Sequence, residues 1–246
     1  MKIPESMRAR LRKIPGYPIA LFIYHLARGV ETRNEALIQI FPPAGLFQPY
    51  VYTSNDRYPD IFEFLWEQIR DEPEIRILSF GCSTGEEVFS LRRYFSRAIL
   101  IGIDINRFNI AVCRRRVRRL KDEGIRFLLA SSTAEEADAS LDVILAMAVF
   151  RHGKLNLVPP PESCEREIRF AAFESAVTDF ARCLKPGGFL VIHNAMFRFT
   201  DTAVSGLFLP IPLEGLLIEA PLYDRDNRLL PDEHYPLVLF RKLQPT

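Results

Sequence analysis

The chain has 246 residues, enough for one large α/β domain with a small appendage but not for two full domains. Hydrophobic residues make up 48% and charged residues 26%, which excludes a largely disordered chain. With 32 basic and 31 acidic side chains the formal net charge is +1, so no net field draws the protein toward nucleic acid.

Four cysteines, Cys82, Cys113, Cys164 and Cys183, lack any C-x-x-C spacing. That argues for reduced thiols rather than a disulfide scaffold or a zinc knuckle, and no metal site is expected. An apolar run over residues 19–27 follows Arg8, Arg10, Arg12 and Lys13. It is too short for a membrane span, which needs about 20 residues, and no small-residue cleavage site follows it. A soluble cytoplasmic protein without an integral membrane segment is expected.

Along the chain, Pro4, Pro15, Pro18, Pro42, Pro43, Pro49 and Pro59 break residues 1–59 into short pieces, with helices expected at 19–28 and 31–40. Tyr50, Tyr52, Thr53, Asp56 and Arg57 crowd the end of this stretch. Residues 1–59 are expected to form an N-terminal helical cap that covers the substrate, and residues 60–246 the main domain. An amphipathic helix is predicted over 60–70, with Ile61, Phe62, Leu65, Trp66 and Ile69 on its apolar side.

From residue 74 strands and helices alternate. Strands are predicted at 75–80, 98–105, 125–130, 141–147 and 189–193, and helices at 86–95, 108–123 and 170–184. Lys185-Pro-Gly-Gly is expected to end the last helix, and residues 216–220 and 237–242 to pair as a hairpin at the sheet edge. This rhythm predicts a doubly wound α/β domain, a parallel sheet covered on both faces. The dense basic run Arg114-Arg-Arg-Val-Arg-Arg119 falls on the second crossover helix and is expected to be a solvated face.

The informative stretch lies between the first strand and its helix, where open α/β sheets bind ligands. Gly81 and Gly85 are spaced G-x-x-x-G and lead into a helix N-terminus that offers free N–H groups. Neither the dinucleotide pattern G-x-G-x-x-G nor a phosphate loop is present, so a nucleoside ligand without phosphates is favoured. Asp104 ends the second strand about 20 residues further on, where an acid accepts the hydroxyls of a ribose.

Gly81-Cys-Ser-Thr-Gly-Glu-Glu87 resembles the glycine loop of the chemotaxis-receptor glutamate methyltransferases, and Leu184-Lys-Pro-Gly-Gly-Phe-Leu-Val-Ile192 is similar to the helix-to-strand junction of the class I S-adenosylmethionine-dependent methyltransferases. The resemblance covers roughly residues 60–246. It implies a Rossmann-like seven-stranded sheet of order 3-2-1-4-5-7-6 with strand 7 antiparallel. It implies S-adenosylmethionine as the cofactor, S-adenosylhomocysteine as its product, and contacts to it from Gly81, Cys82, Ser83, Thr84, Gly85, Glu86 and Asp104. By the same mapping Ile105 and Asn106 border the adenosine, Ser132 and Thr133 meet the adenine edge, and Ala146, Met147 and Ala148 lie under the methionine part. The third-strand loop reads Ser131-Ser-Thr-Ala-Glu-Glu136, where the superfamily usually carries an acid. The receptor enzymes' Cys-Arg-Asn after strand four is replaced by Met147-Ala-Val-Phe-Arg-His152.

Arg57 is a candidate partner for the methionine carboxylate. His152 after strand four and His193 at the end of strand five are the candidate catalytic bases. The expected activity is S-adenosylmethionine-dependent methyl transfer to a small-molecule acceptor, at oxygen. The alternatives are a protein carboxyl methyltransferase and a non-catalytic cofactor-binding regulatory module. Oligomeric state is not readable from the sequence.

Overall fold

A computed structural model of the chain describes Ile38, Pro43 and residues 45–48, 57–213, 215–216, 220–231 and 233–244. The chain divides into two compact units, Met1–Pro43 and Ala44–Thr246, and every element given below lies in the second. The expected helices at 19–28 and 31–40, and Tyr50, Tyr52, Thr53 and Asp56, lie outside the described residues.

Helix α1 (Pro59–Gln68) starts on a proline, whose missing N–H would be unpaired there in any case, and carries Asp60 in its first turn. It buries Ile61, Phe62 and Leu65, spaced for one face. Trp66, expected on the same stripe, is instead 55% exposed. It follows Leu65 directly and is therefore turned about 100° away from it.

Strand β1 (Arg76–Phe80) lies between β2 (Ile99–Asp104) and β4 (Leu141–Met147), and β3 (Ile125–Leu129) and β5 (Leu184–His193) extend the parallel set on either side. Beyond β5 lie β9 (Leu239–Lys242) and then β6 (Phe208–Ile211), both paired antiparallel to their neighbours, so the seven strands run β3-β2-β1-β4-β5-β9-β6. This is the expected order 3-2-1-4-5-7-6, with β9 standing where antiparallel strand 7 was expected, between β5 and β6. A separate ribbon joins β7 (Leu222–Tyr223) to β8 (Leu229–Leu230).

Because side chains alternate across a strand, the central strands feed two cores. Leu78, Phe80, Ile144, Leu190 and Ile192 pack with Phe173, Val177 and Phe180 of α4 (Phe170–Cys183). On the other face Ile77, Leu100, Val143, Leu145 and Val191 pack with α1, with Val88 and Leu91 of α2 (Glu86–Tyr94), and with Ile110 and Cys113 of α3 (Arg107–Leu120).

Two expectations are corrected. Lys185-Pro-Gly-Gly does not separate helix from strand: α4 ends at Cys183 and β5 begins at Leu184, with a register shift between Leu141 and Val143 taking up the irregularity. The strand beside β9 is Phe208–Ile211 rather than residues 216–220, of which 217–219 lie outside the described residues. Pro210 sits in that strand at the sheet's edge, where a missing N–H is tolerated.

The end of α4 is closed by a distant side chain. Lys242 Nζ donates to Ala181 O at 2.6 Å and to Leu184 O at 2.8 Å, supplying a cation where a helix leaves its last carbonyls unpaired. Lys242→Met keeps the stem and removes these bonds. It is expected to lower stability by about 1.5–3 kcal/mol, the range for a hydrogen bond to a charged group, read by chemical denaturation.

Candidate cofactor site

The loop from Gly81 to Gly85 is fixed first by its backbone. Gly81 N–H and Cys82 N–H both donate to Ile103 O, at 2.8 and 2.9 Å, so the loop leans on the end of β2. Gly81 and Gly85 have φ of +73° and +92°, values L side chains rarely adopt. A Cβ on Gly81 would collide with the Val149 side chain, and one on Gly85 would come within 2.9 Å of the Phe89 ring. Gly85 is also the N-cap of α2, so the helix opens directly onto the loop.

Asp104 is held beneath this loop. Ser83 N–H donates to Asp104 Oδ2 at 2.8 Å, Asn106 N–H to Oδ1 at 2.7 Å, and Asn109 Nδ2 to Oδ1 at 3.4 Å. Burial raises the carboxyl's pKa and these donors pull it partway back. A carboxylate offers about four acceptor positions, and three are taken within the protein. About one position is left beyond these three donors. Asn106 follows the same pattern: its side chain accepts Phe108 N–H at 2.9 Å and Asn109 N–H at 3.4 Å as the N-cap of α3.

The two consecutive acids diverge. Glu86 faces outward, its Oε1 2.7 Å from Arg116 Nη1 and its Oε2 accepting the Thr84 hydroxyl at 2.6 Å. Arg116 also donates to Thr84 O at 2.9 Å and lies 4.1 Å from the Phe89 ring. Arg114 Nε donates to Phe127 O, yet Arg114, Arg115, Arg118 and Arg119 are all exposed, so the basic run is a solvated face as expected, with Arg116 half-buried against the loop.

Glu87, which the sequence did not single out, turns inward. Burial of its carboxyl pushes it up to about 7, while the Ser79 hydroxyl and the charge of Arg57 pull it back down. Ser79 is itself buried on β1. Glu87 follows Glu86 by one residue, so only the helix's rotation decides which acid faces the cleft. Arg57 lies 5.2 Å from the Tyr58 ring, and Tyr58 meets the His193 ring edge-on at 4.8 Å. Arg57, Tyr58, Ser79, Glu87 and His193 thus belong to one charged and aromatic neighbourhood at the carboxyl ends of β1 and β5.

The remaining candidates fall in two groups. Met147 pairs in register with His193 at the strand tips, Ala146 is fully buried beneath them, and Ala148 N–H donates to His193 O at 2.8 Å. Ile105 is half-buried beside Asp104. Ser132 is exposed, its hydroxyl accepting Ala134 N–H. Thr133 is buried with its hydroxyl donating to Asp179 Oδ2 at 2.6 Å, so this side chain ties the third-strand loop to α4. His152 is buried, and burial and the charge of Lys154 lower its pKa against an upward pull from Glu167. Its Nδ1 accepts Lys154 N–H at 3.4 Å, which places the proton of the neutral ring on Nε2.

A βαβ unit with a glycine cradle and an acid at the second strand tip defines a nucleoside-binding α/β fold. A family profile described as a methyltransferase domain matches residues 71–205, more than half of the chain. The chain belongs to that family, the class I S-adenosylmethionine-dependent methyltransferases. No curated protein matches it. Among solved structures, YcgJ from Bacillus subtilis is 20% identical over 56% of this chain and 52% of its own, with a TM-score of 0.41. Geranyl diphosphate C-methyltransferase from Streptomyces coelicolor A3(2), in complex with S-adenosylhomocysteine, is 16% identical over 54% of this chain and 44% of its own, TM-score 0.40. Phosphoethanolamine N-methyltransferase 2 from Haemonchus contortus, in complex with S-adenosylmethionine, is 20% identical over 70% of this chain and 35% of its own, TM-score 0.43. The chain thus spans about half or less of the length of these structures. Among the described residues no helix is long and apolar enough to cross a membrane.

The bonds at Asp104 give a double expectation. Asp104→Ala should lower thermal stability as well as affinity for S-adenosylhomocysteine, because Ser83 and Asn106 N–H lose a charged acceptor worth about 1.5–3 kcal/mol each. Parallel melting and calorimetry check it. Weakened binding with an unchanged melting temperature would leave the carboxylate with a ligand role and no structural one.

Proposed function

We propose that the protein transfers the methyl group of S-adenosylmethionine to an oxygen of a small-molecule acceptor. The observation that carries this reading is the glycine cradle that opens onto the N-terminus of α2, with the Asp104 carboxylate bonded beneath it. Glu87 on that helix, in the field of Arg57, adds an acid and a guanidinium that would suit the ammonium and carboxylate of an amino-acid end. The free acceptor position on Asp104 suits a ribose hydroxyl, and the glycine backbone leaves room for the chain between them. When bound, S-adenosylmethionine supplies a methyl carbon activated by a sulfonium. The protein's part is to fix that carbon in line with the acceptor oxygen and to take up the acceptor's proton.

Two imidazoles are candidates for the proton. His152 would have to give up the Lys154 bond at Nδ1 before accepting there, which makes His193, at the β5 tip beside Met147, the better base. In single-turnover transfer to a phenolic acceptor, His193→Asn is expected to slow the reaction by about 10²–10⁴-fold, the usual range for a lost general base. His152→Asn should cost less than about tenfold, and cofactor affinity should stay within about twofold in both. The reverse ranking would move the base to His152.

Calorimetric titration tests the cofactor directly: S-adenosylmethionine and S-adenosylhomocysteine are expected to bind and NAD is not. Glu87 adds a pH signature. Below about 7 its carboxyl is protonated and presents no charge to the ligand's ammonium, so affinity for S-adenosylhomocysteine should rise between pH 6 and 8. Glu87→Gln should bind more weakly and lose most of that slope. A variant with an unaltered slope would remove Glu87 from the site.

A further inference from the structure

The loop that leaves β4 meets the start of β7 and the segment before β9 at an open pocket of about 350 Å³. Leu157, Val158, Pro160 and Pro221 give it apolar walls, and Glu233 and Tyr235 stand on another side. Its volume is that of a small-ligand site. Two attachments place it next to the strand tips. Ala220, a wall residue, donates its N–H to Asn194 Oδ1 at 3.0 Å, and Asn194 directly follows His193. Asn156, also in the wall, closes the turn Gly153–Leu155 that begins at His152. Leu157 and Val158 are 57% and 101% exposed at the pocket's lip, apolar surface that a ligand would remove from water.

The charge around Glu233 is unbalanced. Arg198 Nη1 donates to Glu233 Oε2 at 2.6 Å, and Arg198 Nε donates to Asp201 Oδ2 at 2.8 Å. Among the described residues one guanidinium therefore serves two carboxylates, and with the His234 imidazole of the same wall in its neutral form a net negative charge is left beside the pocket. Tyr235, its hydroxyl accepting Thr200 N–H, adds an aromatic ring to the same wall. A carboxylate with a spare oxygen next to an aromatic ring favours a cation over an anion.

We propose that this pocket takes the methyl acceptor, and that the acceptor is a compact molecule with an apolar body, an ammonium group at one end and a hydroxyl at the other. This rests on the methyltransferase reading of the neighbouring site. The ammonium lies at Glu233 and the apolar body against Leu157, Val158 and Pro221. A protonated amine has no lone pair, so it anchors the molecule and the methyl goes to the hydroxyl. There the oxygen lone pair forms the new O–C bond and the C–S bond breaks with its electron pair remaining on sulfur. The hydroxyl proton passes to the imidazole at the strand tips.

Three probes of one size separate the terms: tyramine, 4-ethylphenol and 4-hydroxyphenylacetate, which differ in bearing an ammonium, no charge or a carboxylate. They are titrated into the full chain saturated with S-adenosylhomocysteine and followed by ligand-observed NMR. Tyramine is expected to bind at least about fivefold more tightly than 4-ethylphenol, with 4-hydroxyphenylacetate weakest. Glu233→Gln should bring tyramine down to 4-ethylphenol while affinity for S-adenosylhomocysteine stays unchanged. Asn156→Trp, which fills the pocket, should weaken all three alike in a protein with an unaltered melting temperature. Equal binding of the probes, preference for the carboxylate, no binding of any, or indifference to Glu233→Gln would overturn the proposal. If S-adenosylhomocysteine fails to bind while the probes rank as expected, the cofactor reading falls and the cation-selective pocket stands. If S-adenosylhomocysteine binds and the probes fail, the reverse holds.

Discussion

The backbone of the Gly81–Gly85 loop has to find partners for its N–H groups while three of its residues, Gly81, Ser83 and Gly85, hold positive φ, and the end of β2 supplies them. Ile103 O takes the N–H groups of Gly81 and Cys82, and the Asp104 carboxylate takes those of Ser83 and Asn106. The second of these bonds also fixes the start of α3, whose N-cap is Asn106. One strand tip therefore sets the loop before α2 and the entry to α3 together. The desolvation that raises the Asp104 pKa is the cost of this arrangement, and the backbone donors offset part of it.

Around this anchor the charges divide by orientation. Arg116 holds Glu86 and the Thr84 carbonyl on the outside of α2, so the outer acid stiffens the helix start and is spent there. Glu87 is left facing the interior with Ser79 and the field of Arg57. Taking a carboxyl out of water with incomplete compensation costs stability, and that desolvation is the largest cause of the upward push on the Glu87 pKa. A ligand ammonium would remove it by supplying the missing charge. On the proposed reading, an amino-acid end with its ammonium toward Glu87 and its carboxylate toward Arg57 would complete these charges.

Much of this architecture was legible in local pattern. The alternation of apolar runs with amphipathic helices located β1 to β4, the end of β5 and their helices to within a few residues, because buried parallel strands read as continuous apolar stretches. The order of the sheet came from the resemblance at Gly81–Glu87 and Leu184–Ile192. What local pattern missed was decided by contacts distant in sequence. Thr133 is claimed by Asp179, which lies 46 residues away. The edge partner of β9 is Phe208–Ile211, a strand disguised by Pro210. Choosing between Glu86 and Glu87 needed the rotation of α2, which is set by what Val88 and Leu91 bury. Lys185-Pro-Gly-Gly has the composition of a stop, yet the sheet absorbs it because a register shift in β4 accommodates the extra length.

The two halves of the site are encoded differently. The cofactor half is a βαβ unit whose defining bonds join residues 79–109, so a short motif specifies it. The region proposed for the acceptor is assembled from segments far apart in the chain: Met196 N–H donates to Phe150 O, Tyr223 N–H to Met196 O, and the Tyr223 hydroxyl to Pro161 O. Asn227, in the β7–β8 turn, accepts Phe170 N–H at the start of α4 and gives its carbonyl to Cys164 N–H. The short β7–β8 ribbon therefore fixes the loop after β4 against the loop after β5, and with them the walls that a methyl acceptor would meet. Substitutions in this ribbon would reshape the acceptor walls without touching the glycine loop, so acceptor choice can change on this fold while the donor half of the site stays as it is.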